Sequence, residues 1–436
     1  NMQSNKLKKN LKIVLPILLI IIVLILLFVF PGYLKKSHQM QALDNKKLNL
    51  RDQNSLADRL SEKDKTLETT FKNNFIKPFL DEKDDSKYEG IITSIELDKQ
   101  ENKTGNYDFL LDDQLLWGKY LVLTEQKKDF SDWQKMIEKI YRFEDSWVVS
   151  VDQNGKALET TKTTWPYDLK YAEVLLLSYN QEPSQDTLGQ INQIKDKLLP
   201  VFTKSTLPAN TTMKVERILY PETSSSSKPT ENLDLIDPYM EEEFIQLSDV
   251  NLYVLESFAL LDENWQAPYD QWSEIFTQAI SDSENVFFYP IGISSDLDYY
   301  ISSGEQAFSA LTWENVKILY QSPEKLQNPE LSGFYKRQIL QTSFLNEKYH
   351  NVSLQSLSNN SDVASIALFS EYLNQSQEKT ADLSKLNESI KNGLTVLQYK
   401  NKFNDLNGLF SENTEEGKLL FTAKNQISVL NSGLFE

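Results

Sequence analysis

The chain has 436 residues, a net charge of −18, no cysteine and only two histidines. The acidic balance argues against nucleic acid as a partner, because no basic stripe is present to neutralise phosphates. The absence of cysteine excludes disulfides, thiol catalysis and thiolate metal sites, and two histidines disfavour a Ser-His-Asp triad or a histidine-rich zinc site. We therefore expect any chemistry to depend on carboxylates, hydroxyls and amides.

The amino-terminal region has the pattern of a membrane anchor. An apolar run at residues 13–31 is long enough for one spanning helix, and it follows the lysine-rich residues 1–12. Because fewer lysines follow the run, the positive-inside rule predicts a cytoplasmic amino terminus and an extracytoplasmic remainder. A cleaved signal peptide is the alternative, but no Ala-x-Ala site follows the run. An exported chain without cysteine fits the cell membrane of a Gram-positive-type envelope.

A polar stalk at residues 32–65 is predicted to connect this anchor to one large domain at residues 66–436. The spacing of apolar residues in that domain predicts helix after helix, with three short extended pieces at Ile91–Leu97, Val148–Val151 and Met213–Tyr220. The predicted helices are Thr66–Leu80, Asp113–Thr124, Ser131–Tyr141, Asp168–Tyr179, Thr187–Val201, Glu243–Leu260, Gln266–Ile280, Thr312–Tyr320, Gly333–Tyr349, Val363–Asn374, Ala381–Gly393 and Lys424–Leu434.

About a dozen paired helices with long loops favour an all-α fold, an (α/α)6 barrel of six inner and six outer helices. The extended segments are then expected to lie in the loops between helices. A two-domain all-α protein is the alternative, since no sequence repeat of 20 to 50 residues fixes the architecture.

Acidic residues lie beside aromatic residues where several of these helices begin. Asp112 and Asp113 precede Trp117, and either could simply cap its helix. The functional interpretation is that an apolar ring near one carboxyl group raises its pKa and keeps it protonated as a general acid. Asp168 follows Trp165 and Tyr167, which suits either helix capping or the binding of a sugar.

Another acidic helix start is Trp313-Glu314-Asn315-Val316-Lys317. A solvated Glu–Lys pair is the simplest explanation of it. The sequence contains no phosphate-binding glycine loop, no metal-binding motif and no Gly-x-Ser-x-Gly elbow. Carboxylates remain as the candidates for catalysis.

In its order of features the chain resembles glycoside hydrolase family 8, the bacterial endoglucanases that include the cellulose-synthesis-associated enzyme. Leu110-Leu111-Asp112-Asp113-Gln114-Leu115-Leu116-Trp117-Gly118 occupies the place of the segment that carries the family's general acid. Thr164-Trp165-Pro166-Tyr167-Asp168-Leu169 resembles a segment in which the family has two aspartates, of which Asp168 is retained. Glu314-Asn315-Val316-Lys317 falls where the family has a catalytic aspartate followed by an arginine. The resemblance extends over about residues 66–425.

This resemblance implies an inverting endo-β-glycosidase that cleaves a β-linked cell-surface polysaccharide or exopolysaccharide without a metal or an organic cofactor. Asp113 would be the general acid, with Asp112 as second choice, and Glu314 the general base, with Asp296 or Asp298 as alternatives. The implied substrate-binding residues are Asp112, Trp117, Trp165, Tyr167, Asp168 and Trp313. Compared with the family, the acid is one methylene shorter and the base one methylene longer. In an inverting enzyme the two carboxyl groups flank a water at about 6.5–9.5 Å separation, so paired changes of length can compensate.

Two other functions compete with this one. A degenerate relative would bind exopolysaccharide without cleaving it, beside a membrane polysaccharide synthase. An envelope scaffold would bind protein and show no preference for any saccharide.

Overall fold

The structure is a computed structural model that describes residues 56, 60–80, 88–161, 163–216, 239–281, 286–301, 309–375 and 382–434. Twelve α-helices occur in these residues. They are α1 (Glu62–Phe75), α2 (Leu111–Leu123), α3 (Lys127–Met136), α4 (Trp165–Gln181), α5 (Gln185–Phe202), α6 (Leu252–Leu261), α7 (Gln266–Ser281), α8 (Thr312–Gln321), α9 (Pro329–Thr342), α10 (Val363–Gln375), α11 (Leu383–Leu397) and α12 (Ala423–Ser432).

The even-numbered helices form an inner ring and the odd-numbered helices lie outside it. Helix α2 packs between α12 and α4, α6 packs on α4, and α10 packs between α8 and α12. Between α6 and α8 the ring is completed by the 3-10 turn Leu247–Asp249, which contacts α8 and α4. Outer helices α3, α5, α7 and α11 pack on α2, α4, α6 and α10, and α1 packs on α12. The predicted α/α barrel is therefore confirmed, around one hydrophobic core that includes residues from Leu67 to Leu434.

Short antiparallel strands connect the helices, mainly at one end of the ring. The strands are β1 (Ile76–Pro78), β2 (Glu89–Ile91), β3 (Ser94–Leu97), β4 (Lys103–Asn106), β5 (Phe109–Leu110), β6 (Arg142–Phe143), β7 (Ser146–Val151), β8 (Ala157–Thr160), β9 (Thr211–Glu216), β10 (Tyr239–Gln246), β11 (Gly292–Ile293), β12 (Tyr300–Ile301), β13 (Ser309–Leu311), β14 (Lys348–His350), β15 (Glu412–Asn413) and β16 (Leu419–Thr422). Two four-stranded sheets have the orders β15-β16-β3-β4 and β12-β11-β10-β9, and a third joins β5, β7 and β6, with β8 also on β7.

Three predicted helices were placed wrongly, in each case because strand pairing or capping overrides apolar spacing. The helix predicted at Glu243–Leu260 begins only at Leu252, after Asn251 caps it, and the preceding β10 pairs with β9. The helix predicted at Gly333–Tyr349 ends at Thr342, and β14 then pairs with β13. The helix predicted at Thr66–Leu80 begins at Glu62, where Ser61 and Asp64 form a capping box, and ends before β1.

The predicted membrane anchor at 13–31 lies outside the described residues. Among the described residues, none of the helices combines the length and apolar character that a bilayer-spanning segment requires. Of the predicted stalk, Leu56 and residues 60–65 are described, and α1 already begins within it.

Leu56 joins the chain to one end of the barrel. Its backbone N–H donates to the carbonyl of Leu123, the last residue of α2, at 2.8 Å, and its side chain is buried. The same side chain lies against Gly433, the residue that ends α12 in the left-handed conformation. The amino-terminal part of the chain therefore meets the barrel at the carboxyl ends of two inner helices.

Gly118 allows α2 and α3 to approach closely. A Cβ atom built on Gly118 would lie 2.2 Å from the Trp133 ring, whose indole N–H donates to the carbonyl of Gln114 at 2.9 Å.

Replacement of Gly118 by alanine is therefore expected to lower the free energy of unfolding by about 1–3 kcal/mol, measured by urea denaturation. Gly189→Ala is the control: Gly189 lies in α5 with no atom within 4 Å of the added Cβ, and we expect a gain of about 0.5–1 kcal/mol there. Equal effects at the two positions would contradict the packing argument.

Candidate active site

A cleft of about 690 Å³ opens where the inner helices begin and continues along the barrel axis. On α8 its lining extends from Trp313 to Gln321, which is about 12 Å of helix. Twelve of its 26 lining residues are Asp, Glu or Lys. The acidic ones are expected where helix amino termini meet, since these ends favour negative charge. These twelve residues are Asp112, Asp113, Glu173, Asp249, Glu314, Glu347, Asp362 and Glu412, with Lys119, Lys170, Lys317 and Lys424.

Asp113 is the cleft carboxyl group with the most strongly perturbed acidity. It lies in the first turn of α2 with only 5% of its surface exposed. Leu110 occupies the N-cap position and the helix begins at Leu111, so Asp113 is not explained by capping. Burial, together with the negative charge of Asp112, raises the pKa of Asp113 to about 8, although Lys424 acts in the opposite direction. Asp113 is thus a protonated carboxylic acid at neutral pH.

Asp112 lies beside it in a different electrostatic environment. Lys170 donates to Asp112 Oδ1 at 2.9 Å, and the Tyr167 hydroxyl donates to Oδ2 at 3.1 Å. Desolvation in the cleft favours the protonated form of Asp112. The positive charges of Lys170 and Lys317 outweigh this effect and lower the pKa of Asp112. Two adjacent carboxyl groups therefore differ in protonation at neutral pH, one as an acid and one as an anion.

A second ion-pair group joins the 3-10 turn Leu247–Asp249 to α8. Lys317 donates to Asp249 Oδ1 at 2.9 Å, Asn210 donates to Oδ2 at 2.8 Å, and Lys170 lies 3.5 Å from Oδ1. Burial opposes the charge of Asp249, but Lys170 and Lys317 hold its pKa well below the ordinary value. In the same turn, the Ser248 hydroxyl donates to Glu314 Oε2. The side of the cleft opposite α2 thus holds Glu314 in a fixed orientation.

The third side of the cleft comes from α10, α12 and the hairpin of β15 and β16. Lys424 places its ammonium group 3.6 Å from the centre of the Trp313 ring. Asp362 accepts from the backbone N–H of Ser365 at 3.0 Å and thereby caps α10. Burial raises the pKa of Glu412, and the neighbouring Asp362 contributes in the same direction.

Five of the eight predicted site residues line this cleft, namely Asp112, Asp113, Tyr167, Trp313 and Glu314. Sequence reasoning missed Lys424, Asp249, Asp362 and Glu412, which lie on a helix start, a 3-10 turn, a helix cap and a strand. No local pattern singles them out, because only the closure of the ring brings them together. Asp296 and Asp298, the alternative bases, are exposed residues of the turn between β11 and β12 and are not among the lining residues.

The other three predicted site residues lie in the barrel wall. Trp117 stacks on Tyr120 with ring centroids 4.9 Å apart and is 6% exposed. Trp165 is buried, and its indole N–H donates to the carbonyl of Pro208 at 2.9 Å. Asp168 is fully buried and accepts from the indole N–H of Trp147 at 2.9 Å, with Lys197 2.8 Å from Oδ2. These positions suit packing and internal hydrogen bonding rather than contact with a ligand.

Replacement of Asp168 by asparagine tests this distinction. It removes the charge that pairs with Lys197 while keeping the shape of the side chain, so we expect a loss of about 2–3 kcal/mol in the free energy of unfolding. Urea denaturation measures that loss. The dissociation constant for any saccharide that the protein binds is expected to stay within a factor of two. A large loss of affinity with unchanged stability would return Asp168 to the binding site.

Within the part of the chain that the structure describes, no group of three or more His, Asp or Glu side chains has the arrangement of a metal site. The expectation that no cofactor is needed stays a prediction.

The barrel is similar to several solved carbohydrate-active enzymes. One is an α-amylase from Clostridium perfringens, with a TM-score of 0.61 and 15% identity over 85% of this chain and 96% of that one. Another is a β-1,3-1,4-glucanase from Paenibacillus sp. X4, with a TM-score of 0.53 and 11% identity over 86% and 92% of the two chains. A third is a cold-adapted family 8 xylanase solved with its substrate, with a TM-score of 0.51 and 12% identity over 86% and 92%.

The chain has a divergent family 8 glycosidase-like fold. The resemblance predicted from the sequence is therefore confirmed for the fold. No protein-family model and no curated protein sequence matches the chain. At 11–15% identity the likeness to these structures establishes the architecture, and the cleft residues must support any function on their own.

Proposed function

We propose that this protein is a glycoside hydrolase in which Asp113 protonates the glycosidic oxygen of a bound polysaccharide. The observation that carries the proposal is the raised pKa of Asp113, about 8, in a buried first-turn position of an open cleft. A general acid must hold its proton at the operating pH and release it in the transition state. A carboxyl group with an ordinary pKa would be ionised at neutral pH and could not do so.

Glu314 is the proposed general base. It lies on α8, across the inner ring from α2, and Ser248 orients one of its oxygens by a hydrogen bond. Lys170 binds Asp112 and Lys317 binds Asp249, and these ion pairs hold two sides of the cleft in place. The two carboxylates are proposed to bind sugar hydroxyls. An acid and a base on opposite sides of one cleft suit an inverting displacement, in which the base activates a water.

A neutral polysaccharide is the proposed substrate. The sequence resemblance implies a β-linked polymer, whereas the structural neighbour with a TM-score of 0.61 is named an α-amylase. Attachment to a membrane through residues 13–31, an extracytoplasmic position of the barrel and a neighbouring polysaccharide synthase belong to the same proposal.

The alternative is a polysaccharide-binding protein without hydrolytic activity. Aspartate in place of the family's glutamate shortens the acid by one methylene, which favours this alternative if the substrate is not drawn closer to α2.

The test incubates the full chain with mixed-linkage β-glucan, cellulose oligomers, xylan and amylose, and follows new reducing ends together with the anomeric configuration of the product by NMR. Cleavage of one polymer with inversion supports the proposal and identifies the linkage. Cleavage with retention would contradict the assignment of Glu314 as a base that activates water. Binding without cleavage would establish the alternative, and neither binding nor cleavage would favour an envelope scaffold.

A further inference from the structure

Lys424 occupies an electrostatically unfavourable position. It is the second residue of α12, where the aligned peptide dipoles present their positive end. Helices α2 and α8 begin with acidic residues in their first turns, as the dipole favours, whereas α12 has no acidic residue there. A half-buried cation at the start of an inner helix needs compensation from its surroundings.

The compensation comes from an aromatic ring and several carboxyl groups. The ammonium of Lys424 lies 3.6 Å from the centre of the Trp313 ring, close enough for a strong cation–π interaction. Among the described residues it forms no salt bridge within 4 Å, so its charge is not assigned to a single acid. The charged groups that face it from the surrounding elements are Asp113 of α2, Glu314 and Lys317 of α8, Asp362 before α10 and Glu412 of β15.

These surroundings act on Lys424 and on Asp113 together. Burial lowers the pKa of Lys424, while Asp362, Glu314 and Asp113 favour its charged form. Burial and the charge of Asp112 favour the protonated form of Asp113. The Lys424 ammonium acts in the opposite direction and favours the anionic form of Asp113. Helices α2 and α12 are neighbours in the inner ring, so their first turns face the cleft side by side.

We propose that Lys424, held on the indole of Trp313 among the carboxyl groups of the inner ring, is a positioning residue that acts through Asp113. Its positive charge makes the Asp113 proton easier to release, so that the acid is strong enough to protonate a glycosidic oxygen. The inference rests on the proposed function for its catalytic meaning, but the effect of Lys424 on the protonation of Asp113 holds whether or not the protein hydrolyses a sugar.

The first experiment compares pH profiles of kcat/KM for the parent and for Lys424→Met, Lys424→Arg and Lys418→Met. In Lys424→Met the alkaline limb is expected to move upward by about one pH unit, the size typical of a nearby charge, and kcat at neutral pH to fall several-fold. Lys424→Arg keeps a cation that stacks on the ring, and its profile is expected to stay close to that of the parent. Lys418 lies in the β15–β16 hairpin and pairs with Glu416 outside the cleft. Lys418→Met removes the same charge there and should leave both the alkaline limb and kcat unchanged.

The second experiment titrates the Asp113 carboxyl group directly by ¹³C NMR in protein labelled at aspartate Cγ, with the signal assigned by its loss in Asp113→Asn. An upward shift of the titration midpoint in Lys424→Met, absent in Lys418→Met, supports the inference even if no saccharide is cleaved. An unchanged midpoint in a folded Lys424→Met protein would overturn it. A lower rate with an unchanged alkaline limb would likewise reduce Lys424 to a packing residue. Failure of every variant and of the parent to hydrolyse sugar would count against the proposed function alone.

Discussion

Replacement of Asp113 by asparagine is expected to lower kcat on the polysaccharide substrate by about 10²- to 10⁴-fold at neutral pH, measured by the release of reducing ends. The side chain keeps its shape but has no acidic proton to give to the leaving oxygen. A synthetic glycoside with a leaving group that needs no protonation should lose much less activity. Asp132→Asn, an exposed aspartate on α3, is the matched control and should retain the parent's rate.

Any hydrolytic activity of the parent protein should also fall as the pH rises through about 8, because Asp113 is then ionised. That alkaline limb should be absent from whatever activity remains in Asp113→Asn. Hydrolysis that is unaffected by the substitution would exclude Asp113 as the acid. It would not change the description of the fold or of the cleft.

The same substitution is expected to stabilise the protein at alkaline pH. The pKa of Asp113 is raised in the folded chain from the ordinary value of 3.8 to about 8. Between these values the folded state holds a proton that the unfolded state has released, so the stability due to this group falls as the pH rises and is fully lost above about 8. Asparagine has no such penalty, and the variant's melting temperature should exceed the parent's at pH 9 more than at pH 5. A loss of stability that accompanies a shifted pKa is typical of catalytic groups.

Replacement of Lys119 by methionine is expected to lower the free energy of unfolding by about 3–5 kcal/mol. Lys119 and Glu371 form an ion pair of 2.6 Å with side chains only 8% and 4% exposed. Burial opposes the charge on Lys119, but Glu371 and Tyr320 raise its pKa, so the pair is ionised. Without Lys119 the Glu371 carboxylate would be buried with no counter-charge, and this unpaired charge accounts for most of the loss.

Two comparisons make this result interpretable by urea denaturation. The double variant Lys119→Met/Glu371→Leu removes both charges and should recover most of the stability. Lys135→Met breaks the exposed pair with Asp132 and should cost less than about 0.5 kcal/mol. A cost below about 1 kcal/mol for Lys119→Met would show that water from the cleft solvates Glu371.

The helices of this fold could be predicted because their apolar faces repeat at helical spacing. Helix α10, predicted at Val363–Asn374 and found at Val363–Gln375, is buried along most of its length, and its pattern has no competing interpretation. Prediction failed where the chain pairs with a distant strand. The segment Glu243–Gln246 has a helical composition, yet β10 pairs with β9 and β11, and nothing nearby in the sequence reveals those partners.

The site was predictable to the extent that it is local. Asp113 was selected from its place beside Trp117 at a helix start and from the family resemblance, and Glu314 from the resemblance, and both line the cleft. The same reasoning also selected Asp168, whose helix turns that carboxyl group toward Trp147 in the barrel wall. The direction in which a first-turn residue points depends on the rotation of the helix in the ring. Lys424 could not be identified because its importance arises from residues on three other elements.

The contact of Leu56 with Leu123 lies far from the mouth of the cleft. Helices α2 and α12 have their first residues at the cleft and their last residues beside Leu56, about 15 Å further along the axis. A ligand in the cleft and the side chain of Leu56 would therefore contact opposite ends of the same two helices. The packing of Leu56 on Gly433 thus leaves the opening of the cleft clear.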